Sequence, residues 1–389
     1  VIPEEKRHEA PLKTKAEMGG IYIHIPYCRR ISRYCDFHHS ASLKRKDEML
    51  EAIGRELTAR RGEIDPGEVR TLYLGGGTPS VCTPEEIGRL AETVRELWGV
   101  RRFEEFTVEA NPDDLTPAYL EGLSAVGVDR LSIGIQSFVD DHLQRMNRRH
   151  TAQEAIDAVR NAQRVGFRNL TIDLMYGLPW LTPDAWQANL DRAVALDVEH
   201  ISAYHLTIEP RTVFGRQGLQ PVAESVSELH FRMLRETLTG AGFEHYEVSN
   251  FAHPGFRARH NSAYWSGEPY LGVGPSAHSY DGAQRRSWNV ADNDRYLKGV
   301  PAEAERLTPI DRLNEYLMTR LRTAEGISGT VLHTRFGPEE TARIAARCDS
   351  FTATGEMFRT DEGWAIAPER WLISDFVIAE LFGEERDFA

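Results

Sequence analysis

Basic charge is scarce in this chain: 46 lysines and arginines face 59 aspartates and glutamates over 389 residues, leaving a formal net charge of −13. That balance gives no broad positive field for a phosphate backbone, so nucleic acid is not an expected partner; RRH at 148–150 is a short basic run of the kind that is usually solvated. Long apolar runs are missing too. No stretch approaches the roughly 18–20 uncharged residues that cross a bilayer. Residues 1–17 (VIPEEKRHEAPLKTKAE) are charged where a signal peptide needs an apolar core, and they read as a flexible extension outside the fold. A cytoplasmic location is the expectation. The four cysteines are too few for a disulfide scaffold, so each is read by its surroundings. Cys82 and Cys348 have no neighbouring ligand pattern and read as ordinary thiols.

What the chain does have is alternation. Short β-type runs recur at IYIHIP (21–26), RTLYLG (70–75), EEFTVEA (104–110), DRLSIGI (129–135), NLTIDLMYG (169–177) and HISAYHL (200–206). Amphipathic stretches separate them at 44–61, 83–98, 116–126, 139–165, 183–196 and 224–241, several opened by Thr-Pro, an N-cap followed by a residue suited to the first helical position. Such repeated βα units predict a parallel barrel, here a partial (β/α)6 barrel over 18–242. The aromatic, Gly- and His-rich segment 243–307 reads as a connector wrapped over the barrel opening. Residues 308–389 read as a small helical or winged-helix-like domain.

In βα barrels chemistry gathers where strands end. The segments after the predicted strands are polar or glycine-rich: CRRISRYC (28–35), GGGTPS (75–80), EANPDD, IQSF, DLMYG and HLTIEP. Bare glycine backbone can present N–H groups to a ligand, although a tight turn uses the same residues. Glu109, Gln136, Arg148 and Asp173 each follow a different strand; carboxylates accept hydroxyl or ammonium donors, and arginine grips a carboxylate. Singly each reads as a surface or barrel residue; together they suit an amino-acid-bearing nucleoside.

The ordered run YIHIPYCRRISRYCDF, GGGTPS, EANP, SIGIQSF, IDLMYGLP and YHLTIEP resembles the radical S-adenosylmethionine proteins related to oxygen-independent coproporphyrinogen III oxidase. Within that group it is most similar to the HemW haem chaperones, whose cysteine loop ends in CDF and whose later region carries HNxxYW. The resemblance implies a [4Fe–4S] cluster on three cysteines. Here Cys28 and Cys35 match the first and third ligands while Ser32 holds the second place. It further implies S-adenosylmethionine among Tyr22, Gly76, Gly77, Thr78, Glu109, Gln136, Arg148 and Asp173, with the Arg148 alignment shadowed by the adjacent Arg149.

Clusters favour soft thiolates, and a serine must lose a far less acidic proton to give a harder ligand, so the cluster is expected to be absent, incomplete or labile. His38 and His39 follow the loop, but such histidines are more often solvated. Ser32 reads either as a natural loss or as an introduced change, and the intact polar set favours a recent or deliberate one. From residue chemistry alone His260 in HNSAYW is a structural histidine; the resemblance points instead to a haem ligand, beside Tyr264 and Trp265, with His278 as a second imidazole. His24 reads as a barrel-core histidine. The implied function is a haem-binding chaperone delivering haem to an acceptor apoprotein, with a membrane-bound acceptor and a homodimer both compatible. The rival is a coproporphyrinogen III dehydrogenase, and the CDF ending and HNxxYW favour the chaperone. No catalytic residue is assigned.

Overall fold

Each predicted strand alternates large apolar residues with polar or small ones, and a parallel strand with that pattern can pack helices on one face and line a barrel with the other. The computed structural model describes residues 19–383; the extension expected at 1–17 lies outside them. The strands are β1 (Gly19–Ile25), β2 (Val69–Gly76), β3 (Glu105–Ala110), β4 (Arg130–Gln136), β5 (Leu170–Tyr176) and β6 (His200–His205). Each pairs in parallel with the next. Leu72, Leu74, Phe106, Val108, Leu131 and Ile133 are fully buried on one face. On the other, Tyr73, Glu109, Ser132 and Asp173 share hydrogen bonds inside the barrel.

The intervening helices are α1 (Lys46–Ala59), α2 (Pro84–Trp98), α3 (Pro117–Ala125), α4 (Asp140–Arg145), α5 (Ala152–Val165) and α6 (Pro183–Ala195). The Thr-Pro openings work as caps: Thr83, Thr116 and Thr182 accept hydrogen bonds from Glu86, Tyr119 and Ala185 N–H groups. One expectation needs correcting. The stretch 139–165 is two helices, because Asn147 takes a left-handed φ of 62° and Thr151 starts a new capping box with Glu154. The break brings Arg148 to the barrel mouth.

After α7 (Val213–Arg216) and α8 (Glu224–Gly240) come β7 (Glu244–Glu247), β8 (Asn250–Ala252), α9 (Arg259–Ser266), β9 (Tyr270–Val273), β10 (His278–Tyr280), β11 (Arg285–Trp288), α10 (Asn293–Leu297) and β12 (Glu303–Arg306). The expectation of a cover over the opening does not hold for HNSAYW. Strand β8 adds antiparallel to β6 and β9 adds parallel to β1, so the segment extends the sheet at both edges. Helix α9 packs at the opposite end from the cysteine loop. The Glu105 carboxylate accepts the N–H groups of Arg259 and His260 at 2.9 and 3.0 Å, and His260 Nδ1 pairs with Thr71 Oγ1 at 2.7 Å. Glu105 opens β3 and Thr71 lies near the start of β2, so α9 plugs the amino-terminal end of the barrel. A free helix N-terminus offers unpaired N–H donors, and Glu105 supplies the acceptor.

The chain continues through α11 (Pro309–Arg320), β13 (Ile327–Ser328), α12 (Gly329–Thr354), β14 (Met357–Arg359), β15 (Gly363–Ile366) and α13 (Ser374–Ala379). Helix α12 is broken at Gly337, φ 87°, so the order is helix, strand, two helices, two strands, as in a winged helix. Backbone bonds Val248 N to Arg322 O and Ala324 N to Tyr246 O, both 3.0 Å, join this part to β7. Among the described residues no helix is long and apolar enough to cross a membrane.

The plug has little slack. A Cβ on Gly20 would meet Thr71 Oγ1 at 2.6 Å and the His260 ring at 2.7 Å, whereas one on Gly54 in α1 meets nothing. Gly20→Ala is expected to lower unfolding stability by about 1–3 kcal/mol, and Gly54→Ala to raise it by about 0.5–1 kcal/mol. Urea denaturation of both variants checks this; a Gly20→Ala protein as stable as the parent would mean that α9 does not seal the barrel base.

Candidate functional site

Beyond Ile25 the chain enters the cysteine loop, whose shape is held by Cys28 N to Ser40 O (2.9 Å) and Ser40 N to Pro26 O (2.8 Å). The break between α4 and α5 docks onto it: Arg33 N bonds Met146 O at 3.1 Å and Asn147 Nδ2 bonds Ile31 O at 2.7 Å. Beneath lies a cavity of about 490 Å³ at the carboxyl ends of the strands. Cys28, Ser32 and Cys35 line one side; Gly76, Gly77, Thr78, Glu109, Gln136, Arg148 and Asp173 are among the residues lining the others.

Local backbone explains the glycines. Gly76 has φ 112°, and a Cβ there would sit 2.7 Å from the His24 ring; at Gly77 it would sit 2.7 Å from the Tyr27 carbonyl. Close packing of β2 against the end of β1 therefore excludes side chains. Gln136 adopts φ 71° without being glycine, at a register shift between β4 and β5. Such a backbone costs about 1–3 kcal/mol and turns a side chain where a regular strand would not.

Arg148 points into the cavity and Arg149 away from it, pairing with Asp113 at 2.8 Å. Arg148 donates through Nη1 to Ser32 Oγ (3.2 Å) and through Nη2 to Asn111 Oδ1 (2.7 Å) and Gly134 O (2.6 Å). Its buried Nε has no protein acceptor. Burial pushes the Glu109 carboxyl up to about 7, and nearby Asp173 adds to this, against hydrogen bonds from Tyr73 Oη (2.7 Å) and Gly76 N (3.3 Å). Burial likewise raises Asp173 to about 6, opposed by Ser132 and Ser202. Two acidic groups ready to ionise, a spare arginine donor and glycine backbone fit a ligand that carries both a cationic centre and an α-amino acid.

The metal donors fit less well. Burial raises Cys28, whose sulfur accepts from Thr78 Oγ1 at 3.3 Å, and raises Cys35 to about 11. The third position offers only the Ser32 hydroxyl. His39 Nδ1 lies 3.7 Å from Cys35 Sγ, while His38 is turned to Asn293 Oδ1 at 2.7 Å. Among the described residues no three His, Cys, Asp or Glu side chains converge to hold a metal ion. The residues present do not make a three-thiolate site.

Two of the expected cofactor residues stand apart from the cavity lining. Tyr22 lies beside the wall, its hydroxyl on His24 Nδ1 at 3.1 Å. His260 is at the barrel base, buried, with Nδ1 on Thr71 and Nε2 on Tyr264 Oη at 2.8 Å, and burial depresses it to about 3. His278 is exposed and stacked on Trp288 with ring centroids 6.0 Å apart. His24 is buried and bonded to His38 O at 3.0 Å, as a core histidine should be. Asn111, Ser132 and Tyr204 also line the cavity. For Asn111 and Tyr204 a position near a strand end was the available signal; Ser132 lies inside β4, and nothing in the sequence ranked any of the three above its neighbours. Cys82 and Cys348 are buried thiols raised to about 12.

A partial parallel barrel whose first strand runs into a cysteine loop above a polar cavity defines the radical S-adenosylmethionine class, and residues 22–193 match the sequence profile of the Radical SAM superfamily. Membership implies sites for S-adenosylmethionine and a [4Fe–4S] cluster. The heme chaperone HemW of Bacillus subtilis (strain 168) is 32% identical over 94% of this chain and 100% of its own length. The protein of that name from Escherichia coli (strain K12) is 32% identical over 93% and 97%. The chain belongs to the HemW family. The radical SAM enzyme coproporphyrinogen III oxidase (HemN) from Escherichia coli superposes with a TM-score of 0.79 over 94% of this chain and 90% of its own, at 20% identity, a likeness of fold.

The carboxyl pKa of Glu109 has a consequence for stability. Unfolded, Glu109 titrates near 4.5, and folded near 7, so between those values the native state holds more protons and stability falls as pH rises. Buried histidines with depressed values act oppositely, so the difference between parent and Glu109→Gln isolates this group. Between pH 5 and 7.5 the parent is expected to lose on the order of 2 kcal/mol relative to the variant, measured by urea unfolding at each pH; parallel curves would refute it.

Proposed function

We propose that this chain is a haem-binding chaperone that passes haem to an acceptor apoprotein, built on a barrel that binds S-adenosylmethionine. Identity extending over 94% of this chain and the whole length of a HemW relative carries the reading. S-Adenosylmethionine would rest on Gly76, Gly77 and Thr78, its cationic end facing Glu109 and Asp173 and its carboxylate meeting Arg148, with Gln136 and Tyr22 flanking. When bound, a cluster would supply reducing electrons and an open iron; Cys28 and Cys35 are the thiols offered to it, with Ser32 between them. An oxidase reading has only the likeness of fold in its favour, and Ser32 counts against radical generation.

Reconstituted anaerobically, the chain is expected to retain little iron and sulfide, and Ser32→Cys to restore a full [4Fe–4S] complement. Iron and sulfide analysis after desalting decides; a complete cluster in the unaltered chain would end this part of the proposal.

For haem, His260 serves as an iron ligand only in a state where α9 has left the barrel base, since both ring nitrogens are bonded. His278 beside Trp288 is reachable without rearrangement, so we assign the axial position to His278. Haem titrations followed by absorption and tryptophan quenching are expected to show a changed Soret band and weaker binding for His278→Ala. His260→Ala should lower thermal stability and leave the band in place. The opposite pattern would return the ligand to His260.

A further inference from the structure

Asp173 is held from one side by side chains that lie beyond the segment matched to the superfamily profile. The register sets Asp173 beside Ser202, Ser202 beside Asn250, and Asn250 beside Glu247, across β5, β6, β8 and β7. The Ser202 hydroxyl faces its register partner Asp173, where it favours the ionised carboxyl, and donates to Asn250 Oδ1 at 2.5 Å. Asn250 Nδ2 donates to Glu247 Oε1, and Ser249 N donates to Glu247 Oε2 at 3.3 Å. Ser202, Asn250 and Glu247 are all buried. Glu247 is further fixed by a backbone bridge to Thr323.

We infer that Asn250 and Glu247 are positioning residues for the cationic ligand of the cavity, acting on Asp173 through Ser202. The inference rests on the reading of the cavity as an S-adenosylmethionine site. A serine hydroxyl has one proton to donate. With Asp173 neutral, its own proton goes to Ser202, which donates onward to Asn250 Oδ1, while Nδ2 serves the Glu247 carboxylate. A cation beside Asp173 favours its ionised form. Ser202 must then donate to Asp173 and accept from Asn250 Nδ2, and the turned amide presents Oδ1 to a protonated Glu247. The row thus shares one proton between two buried carboxyl groups, and either orientation leaves every member paired. The charged and titratable groups facing Asp173 are Tyr34 in the cysteine loop, Tyr73 on β2, Glu109 on β3, Arg130 on β4, Arg148 at the α4–α5 break and Tyr204 on β6; Glu247 faces Tyr204 and Tyr246.

Calorimetric titration of the full chain with S-adenosylmethionine from pH 5.5 to 8 tests this, with folding checked by circular dichroism. Ser202→Ala removes the donor to ionised Asp173, so affinity should fall roughly tenfold or more and the pH midpoint should move up. Asn250→Ala should do the same to a smaller extent. The double variant should be no worse than Ser202→Ala, because Asn250 acts only through Ser202. Glu247→Gln, which can donate or accept toward Asn250, should stay near the parent, while Glu247→Ala should not. Should Asn250→Ala fail to fold, Ser202→Ala and the Glu247 pair carry the test. Unchanged binding in Ser202→Ala, Asn250→Ala and Glu247→Ala, or additive losses without a shift in midpoint, would overturn the inference and leave the cavity reading intact. No binding by the unaltered chain would overturn both.

Discussion

One guanidinium joins the mouth of this barrel. Arg148 bonds Ser32 in the cysteine loop, Asn111 beyond β3 and the Gly134 carbonyl in β4. Three segments far apart in sequence are thereby set around one charge. That charge also lies near Asp173, whose ionised form it favours. It reaches the mouth only because the helical stretch is interrupted at Asn147, and the same interruption anchors the loop through Ile31 and Met146. The cysteine loop, the helix break and the carboxyl environment therefore depend on one another.

The other end of the barrel is closed by a different charge. Glu105 is buried and takes the first N–H groups of α9, and Arg130, also buried, reaches Asn169, Thr171 and the Phe256 carbonyl beside it. Buried charges persist only where their bonds are made, so this base is expected to behave as a unit. The cavity lies at the carboxyl ends of the strands and the base is sealed at their amino ends, roughly 15 Å away by strand rise. HNSAYW and the cysteine loop therefore occupy opposite ends. Any communication between them must run through side chains such as Tyr73, which bonds Glu109 and stacks on His260 at 5.1 Å.

At Ser32 a single atom separates the two roles proposed for one cavity. The polar cradle needs carboxyl groups, a guanidinium and bare backbone, all present. The cluster needs a third sulfur, and the hydroxyl in its place is already engaged by Arg148. The Cys28 and Cys35 thiols, raised toward the alkaline range by desolvation, also hold their protons without a metal to displace them.

Strand and helix positions were legible because burial on one or both faces imposes a periodicity, and because Thr-Pro caps mark where helices start. Glu109 and Gln136 were legible because strand ends in a parallel barrel converge; Asp173 lies inside β5 and Arg148 at the break between two helices, and both were named through the resemblance. The break at Asn147 was not, since an amphipathic pattern continues across it and only the left-handed backbone ends the helix. Nor was the place of His260, since an aromatic, glycine-rich stretch looks like a loop until Glu105 supplies the acceptor that lets it start a helix. Which of Arg148 and Arg149 enters the cavity depended on the helix break at Asn147, and that Asn250 and Glu247 stand behind Asp173 depended on strand register. The barrel, its chemistry-bearing end and the missing sulfur could be read from the residues alone, because those follow from local pattern and residue type. Which polar groups meet was left to the packed chain, because hydrogen bonds between residues as distant in sequence as Thr71 and His260 are set by packing and register.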